Sequence, residues 1–165
     1  MTKTTAATSA PVSADVAPRI APLSAADRPA WEVLARGYKA FYDTPTTDPE
    51  YETAWTRLLA QDGVHGLAAF LDGRLVGIAH YLFHTSVWAA TTCYLQDLFT
   101  APEARGRGVG RALIEAVAAE ARRRGAARYY WTTQDHNAVA RTLYDRVGRH
   151  AGFIRYDYPI APAPL

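Results

Sequence analysis

The stretch ARGRGVGRAL, residues 104–113, alternates Gly106, Gly108 and Gly110 with Arg105, Arg107 and Arg111 directly before an apolar, alanine-rich run. Glycines let a turning backbone come close to a ligand without intervening Cβ atoms, and a turn that opens a helix leaves several N–H groups pointing outward. The helix dipole adds partial positive charge there, and each guanidinium can add charge-assisted hydrogen bonds, so the chemistry on offer is that of a diphosphate site. A P-loop would need Lys and then Ser or Thr at the helix start, where Arg111 and Ala112 stand. A dinucleotide fingerprint would follow the first strand of a βαβ unit, with an acid about 20 residues on; this turn follows the fourth strand, and Arg122–Arg124 lies beyond it. On residue types alone, the turn reads equally as a plain loop-to-helix connection with a solvated arginine face.

The elements that must position this turn follow from pattern. RIAPLS, residues 19–24, predicts a short strand, and Ser24 with Asp27 has the spacing of a capping box opening a helix through Trp31, Leu34, Ala35 and Tyr38. Asp48-Pro49 caps a second helix with Tyr51, Trp55, Leu58 and Leu59 on one face. Asp72-Gly73 joins two strands within residues 66–83 as a tight hairpin, and Thr91–Thr100 forms the next strand, ending at Ala101-Pro102. A helix with Val109, Leu113, Val117 and Ala121 on one side stops at Gly125. ARYYWTT is a further strand, Asn137–Val147 a helix and FIRYDYPI a last strand. Strands that begin as a meander and later alternate with helices predict an α/β (α+β) fold, a mixed, mostly antiparallel sheet of six to seven strands with helices on both faces.

Arg105-x-x-Gly108-x-Gly110, with CYLQDLFTAPEARG leading into it and TTQDHNAVARTLYDRVG after it, resembles the GNAT acyltransferases. The resemblance is to the branch holding diamine, thialysine, histone, polyamine and D-amino-acid acetyltransferases, and is densest over residues 67–158. It implies a splay between strands 4 and 5, acetyl-CoA as cosubstrate, and acetyl transfer to a primary amine of a small molecule by direct attack. For the cofactor it implies Leu98, Phe99 and Thr100 main chain along the pantetheine arm, Arg105, Gly106, Arg107, Gly108, Val109, Gly110 and Arg111 around the pyrophosphate, and Asn137 and Ala140 nearer the thiol. The other members of the superfamily that come into question are non-catalytic acyl-CoA-binding or regulatory modules, protein acetyltransferases, and toxins that acetylate aminoacyl-tRNA.

The reaction so implied needs a polarised carbonyl, a neutral amine and a proton for the leaving thiolate. Tyr144, seven residues past Asn137, has a phenol of suitable acidity for the last, although beside Leu143 and Val147 it also reads as a packing aromatic. A strand bulge around Gln96–Phe99 would release an amide toward the carbonyl. Relatives often carry glutamate where Gln96 stands; an amide has no useful basicity, but it can orient a water or the incoming amine. Asp97, on the opposite face if the strand alternates, is expected to be structural. His80 and His84 fall on one face of their strand and read either as satisfied polar positions or as a proton relay through water, His84 being the member assigned to the site. No metal is expected. Acceptors in the family lie under the loop of residues 38–47, where Tyr38, Phe41, Tyr42 and Asp43 supply aromatic walls and a carboxylate, or else a seal over the core; Trp131 adds aromatic surface.

Composition narrows the partners. A net charge of +2 over 165 residues, with 18 Lys and Arg against 16 Asp and Glu, gives no broad basic face for nucleic acid. One cysteine allows no internal disulfide, and no apolar run approaches the roughly 18 residues that span a bilayer. Residues 1–17, rich in Thr, Ala, Ser and Pro, are expected to be a disordered tail, and residues 18–165 a single domain of a cytoplasmic protein, a homodimer by family analogy.

Overall fold

The computed structural model describes residues 17–160, which fall into two compact units, one ending at Thr132 and the other beginning at Thr133. The expected tail lies outside the described residues, apart from Ala17.

The first unit is a five-stranded sheet in sequence order: β1 (Arg19–Pro22), β2 (Val64–Leu71), β3 (Arg74–His84), β4 (Thr92–Thr100) and β5 (Arg128–Trp131). The first four strands pair antiparallel and β5 joins β4 in parallel. A parallel neighbour requires a crossover, and helix α3 (Val109–Arg123) supplies it. Helices α1 (Arg28–Phe41) and α2 (Asp48–Ala60) lie between β1 and β2 in the chain.

Local signals account for these boundaries. The Ser24 backbone N–H and hydroxyl both donate to the Asp27 carboxylate at 2.8 and 2.7 Å, and a short 3-10 turn over Ala25–Asp27 leads into α1. The second helix departs by one residue from its expected cap. Thr47, not Asp48, stands outside the helix, and its N–H and hydroxyl donate to Glu50 at 2.6 and 2.8 Å. The Thr-x-x-Glu reciprocity satisfies two groups at once, and Asp48 and Pro49 then fall in the first turn, where neither needs an intrahelical donor. Asp72 and Gly73 both take positive φ, 50° and 75°, as the two-residue hairpin requires. Gly125, at φ 67°, terminates α3.

Both faces of the sheet are covered. On one, Val109, Leu113, Val117 and Ala121 of α3 are all at most 3% exposed. The helix comes so close to β3 that a Cβ on Gly77 would sit 2.6 Å from Val109, which is why glycine occupies that position. Three residues along β3, His80 points to the opposite face, where α1 contributes Trp31, Leu34 and Ala35 and α2 contributes Tyr51, Trp55 and Leu58, all buried. A line of ion pairs, Glu52–Arg28–Glu32–Arg36–Asp48, ties α1 to α2 at their solvent edge.

The second unit holds helix α4 (Ala138–Val147) with Asn137 as its N-cap. The expected last strand is absent: residues 151–160 have no regular structure, with Phe153 and Tyr158 86% and 87% exposed. Alternation in FIRYDYPI specifies which side chains would share a face, but a strand exists only where another strand completes its ladder. The sheet therefore has five strands rather than six or seven.

Candidate active site

The site grows from an irregularity in β4. His80 pairs with Asp97 but Tyr81 pairs with Leu95, so Gln96 is an extra residue with no partner on β3. On its other side β4 pairs with β5 only through Thr92–Leu95, ending at Trp131. Both neighbours thus let go of the strand at one point. Beyond it Leu98, Phe99 and Thr100 remain paired with β3, while the groups that alternation turns toward β5 have no strand to meet. This is the expected splay between strands 4 and 5, with the expected bulge beside it. The Gln96 side chain is exposed, and Trp131 lies half-buried where the ladder stops.

The strand leads directly into the glycine turn. The N–H of Ala101 donates to Val76 at 2.9 Å, pinning the strand end, and Pro102–Ala104 makes one 3-10 turn. Gly106 and Gly108 then take φ of 75° and 77°, a region costly to residues with a Cβ, and Gly108 is the N-cap of α3. An added Cβ at either position would meet nothing within 4 Å, so conformation demands glycine there and the space before the turn is open. The N–H of Ala112 is bonded back to Gly108, leaving those of Val109, Gly110 and Arg111 without an intrahelical acceptor. Arg105 donates to the Thr100 carbonyl at 3.4 Å and lies 6.0 Å from the Phe99 ring centre; Arg111 pairs with Glu115 at 3.4 Å. Open N–H groups, arginines and left-handed glycines suit a bound diphosphate, and the half-open strand beside them suits an extended, amide-bearing arm.

Facing the bulge from α1 is a set of hydrogen bonds that sequence reasoning did not assemble. Trp31 Nε1–H donates to His80 Nε2 at 2.9 Å, and His80 Nδ1 lies 2.9 Å from Asp97 Oδ2. The Tyr38 phenol lies near enough to the same carboxylate to feel its charge. Burial works to raise the Asp97 pKa, yet its neighbours, the hydrogen bond with His80 foremost, outweigh it and hold the carboxyl below the usual range. Burial, followed by the neighbouring Asp97 charge, pushes the Tyr38 phenol well above its ordinary value. Asp97 is thus held on the same face as His80, and both His80 ring nitrogens are engaged, as a satisfied polar position would have them. The available signal was the seven-residue spacing of Trp31 and Tyr38, which puts both side chains on one face of α1.

The remaining expected residues are distributed as follows. Tyr38, Phe41 and Tyr42 cluster at the end of α1, with Tyr38–Tyr42 and Phe41–Tyr42 ring centres 5.0 and 4.9 Å apart, and Tyr38 packs edge-on to Phe99 at 6.5 Å. Asp43 follows with φ 48°, exposed. Between α1 and the strand end, a groove of about 380 Å³ runs past Gly37, Phe41, Phe99, Pro102 and Arg105. His84 stands at the far end of β3, bonded through Nδ1 to the Thr85 carbonyl at 3.0 Å and through Nε2 to the Tyr130 hydroxyl at 3.3 Å. In the second unit Asn137 accepts from the Ala140 N–H at 3.3 Å and donates to Thr133 at 3.1 Å, and Tyr144 lies half-buried two turns into α4. Among the described residues no helix is long and apolar enough to cross a membrane.

Comparison with known proteins agrees with this geometry. Residues 29–148 match the model of the acetyltransferase (GNAT) family. The chain is 33% identical to the D-amino-acid N-acetyltransferase HPA3 of Saccharomyces cerevisiae over 134 residues, 79% of this chain and 83% of that protein. It is also 33% identical to a thialysine N-epsilon-acetyltransferase of Caenorhabditis elegans over 84 residues, spanning about half the length of each, 51% and 52%. Among solved structures, AAC(6')-Iy in complex with a bisubstrate analog of CoA superposes with a TM-score of 0.78 at 19% identity, covering 89% of this chain and all of that one. The ribosomal-protein-alanine N-acetyltransferase of Brucella melitensis biovar Abortus 2308 gives 0.75 at 22%, covering 87% of this chain and 100% of that one. These likenesses show the fold. With the family match and the yeast relative they establish that the chain belongs to the GNAT family of N-acetyltransferases, enzymes that use acetyl-CoA.

Proposed function

We propose that this acetyltransferase transfers acetyl from acetyl-CoA to the primary amine of a small molecule, an amino acid, polyamine or related metabolite, by direct attack in a ternary complex. The observation that carries the reading is the loss of both of β4's neighbours at Gln96, one strand-length from the glycine turn. Two of the relatives bear names that specify D-amino acids and thialysine as substrates, both small amines.

Each demand of the reaction then has a residue. The thioester supplies an activated acyl group and a thiolate leaving group. Arg105–Arg111 hold the pyrophosphate through backbone N–H groups and guanidinium charge, and Leu98, Phe99 and Thr100 hold the pantetheine arm as a strand would. Asn137 and Ala140 bound the thiol end. An amide released at the bulge polarises the carbonyl, the role of an oxyanion donor. The Gln96 side chain orients the amine or a water, His84 takes the proton through water once its Nε2 exchanges the Tyr130 hydroxyl for that water, and Tyr144 returns a proton to the departing thiolate. Tyr38, Phe41, Tyr42 and Trp131 wall the acceptor, and Asp43 offers a counter-charge to a second ammonium.

The test is thiol release from acetyl-CoA against a panel of D- and L-amino acids, thialysine, diamines and polyamines, with Tyr144→Phe in parallel. At least one amine is expected to raise release ~10-fold or more above hydrolysis, and the tyrosine variant to lose ~10²-fold or more in turnover with acetyl-CoA affinity retained. A panel in which no amine exceeds hydrolysis would sink the reading and leave a cofactor-binding module; unchanged turnover in the variant would remove Tyr144 from the acid role.

A further inference from the structure

We propose that His80 is a positioning residue, locked as the neutral Nδ1–H tautomer between Trp31 and Asp97, and that it holds the β4 bulge in the register the reaction uses. The inference rests on the reading of that bulge as the acetyl-transfer site.

The tautomer follows from donor inventory. An indole N–H can only donate, so His80 Nε2, 2.9 Å from Trp31 Nε1, must accept and carries no proton. The ring's hydrogen is therefore on Nδ1, where it donates to Asp97 Oδ2 at 2.9 Å. His80 is thus spent twice over: its free lone pair faces the indole, and its proton faces a carboxylate.

What the arrangement accomplishes follows from register. His80 and Asp97 are the pair immediately beyond the bulge, and Tyr81 and Leu95 the pair immediately before it, so the hydrogen-bonded set borders the inserted residue. A bulge can be erased if the strand slips by one residue, and the slip turns each following side chain to the other face. For Asp97 that would mean losing its bond to His80 and carrying a charge to the face where α3 packs Val109 and Leu113, neither more than 1% exposed. The slip is thereby opposed at the one point where it would remove the irregular backbone. The set also closes on α1 at Trp31, so the helix leading to the expected acceptor loop is tied to the same step of the strand.

Nitrogen NMR of the ¹⁵N-histidine-labelled full chain reads the tautomer directly, and is expected to show His80 protonated at Nδ1 and bare at Nε2; the opposite assignment overturns the proposal. In kinetics with the amine found active, His80→Leu should lower kcat ~10- to 100-fold while acetyl-CoA affinity stays within ~2-fold. His80→Gln retains a donor and an acceptor on one planar group and should recover kcat to within ~5-fold of the parent. Trp31→Phe keeps an aromatic ring while deleting the donor to His80 Nε2, so an effect in the same direction is expected even if the leucine variant folds poorly. A leucine variant turning over within ~2-fold of the parent, or a glutamine variant no better than leucine, contradicts the positioning role. If no amine is acetylated, the acetyl-transfer reading falls on its own account, and the nitrogen shifts still decide the hydrogen-bond assignment.

Discussion

The two halves of β4 are made of similar residues and behave as different materials. Thr92–Leu95 pairs on both sides, with β3 and with β5, and its Thr92, Cys93 and Leu95 are at most 3% exposed. Gln96 pairs on neither side and Asp97–Thr100 on one only, and each residue is half-buried or exposed. The first half is a central strand whose backbone groups are consumed by the fold. The second keeps backbone groups in reserve, which a folded protein tolerates only at an edge or where a ligand completes the ladder. One inserted residue separates the regimes, so structural and functional strand differ in pairing more than in composition.

Deleting Gln96 breaks this contrast most severely. It restores continuous pairing with Asp97 still opposite His80 and removes only the released backbone, and thiol release is expected to fall ~10²- to 10³-fold, the scale of losing an oxyanion donor, in protein that still shows a cooperative melt. Gly108→Asp attacks the reserved half from its far end. A residue with a Cβ at φ 77° is strained, and a carboxylate opposes the phosphates, so acetyl-CoA Kd by calorimetry should rise ~10- to 100-fold with little change in turnover at saturation. Cys93→Ala probes the consumed half: a side chain with no exposure is truncated, and urea denaturation should show a loss of ~1–2 kcal/mol while kcat/KM per folded molecule holds. Gln96→Ala is the mildest. Its exposed amide contributes ~0.5 kcal/mol or less to stability, and because the backbone rather than the side chain defines the bulge, turnover should fall by less than ~10-fold. A larger loss in this variant than in the deletion would reverse the assignment of function to main chain.

Legibility in the sequence followed the range of the interaction. Ser24 with Asp27, Asp72-Gly73, Gly125 and Asn137 all act on groups within four residues of themselves, and each sits in its expected place. Thr47 was readable by the same rule, but Pro49 drew the cap one residue too far into the helix. FIRYDYPI has the period of a strand and no structure to match, because period describes a face and pairing needs a second segment. His80, Asp97, Trp31 and Tyr38 each had a separate reading, and none of these contained the others: their union depends on the register of β3 against β4 and on which face of the sheet α1 covers.

From sequence alone came the helices, the five paired strands and the glycine turn that opens α3, since glycines at left-handed positions before an amphipathic helix announce themselves through local backbone sterics. The tertiary structure alone decided where β4 stops being shared, that Gln96 is the residue inserted there, and that His80 meets the Trp31 indole and the Asp97 carboxylate. Those outcomes are set by contacts between segments 17 to 49 residues apart, and a pattern of residue types holds no information about which of several near-equal registers such segments adopt until their side chains meet.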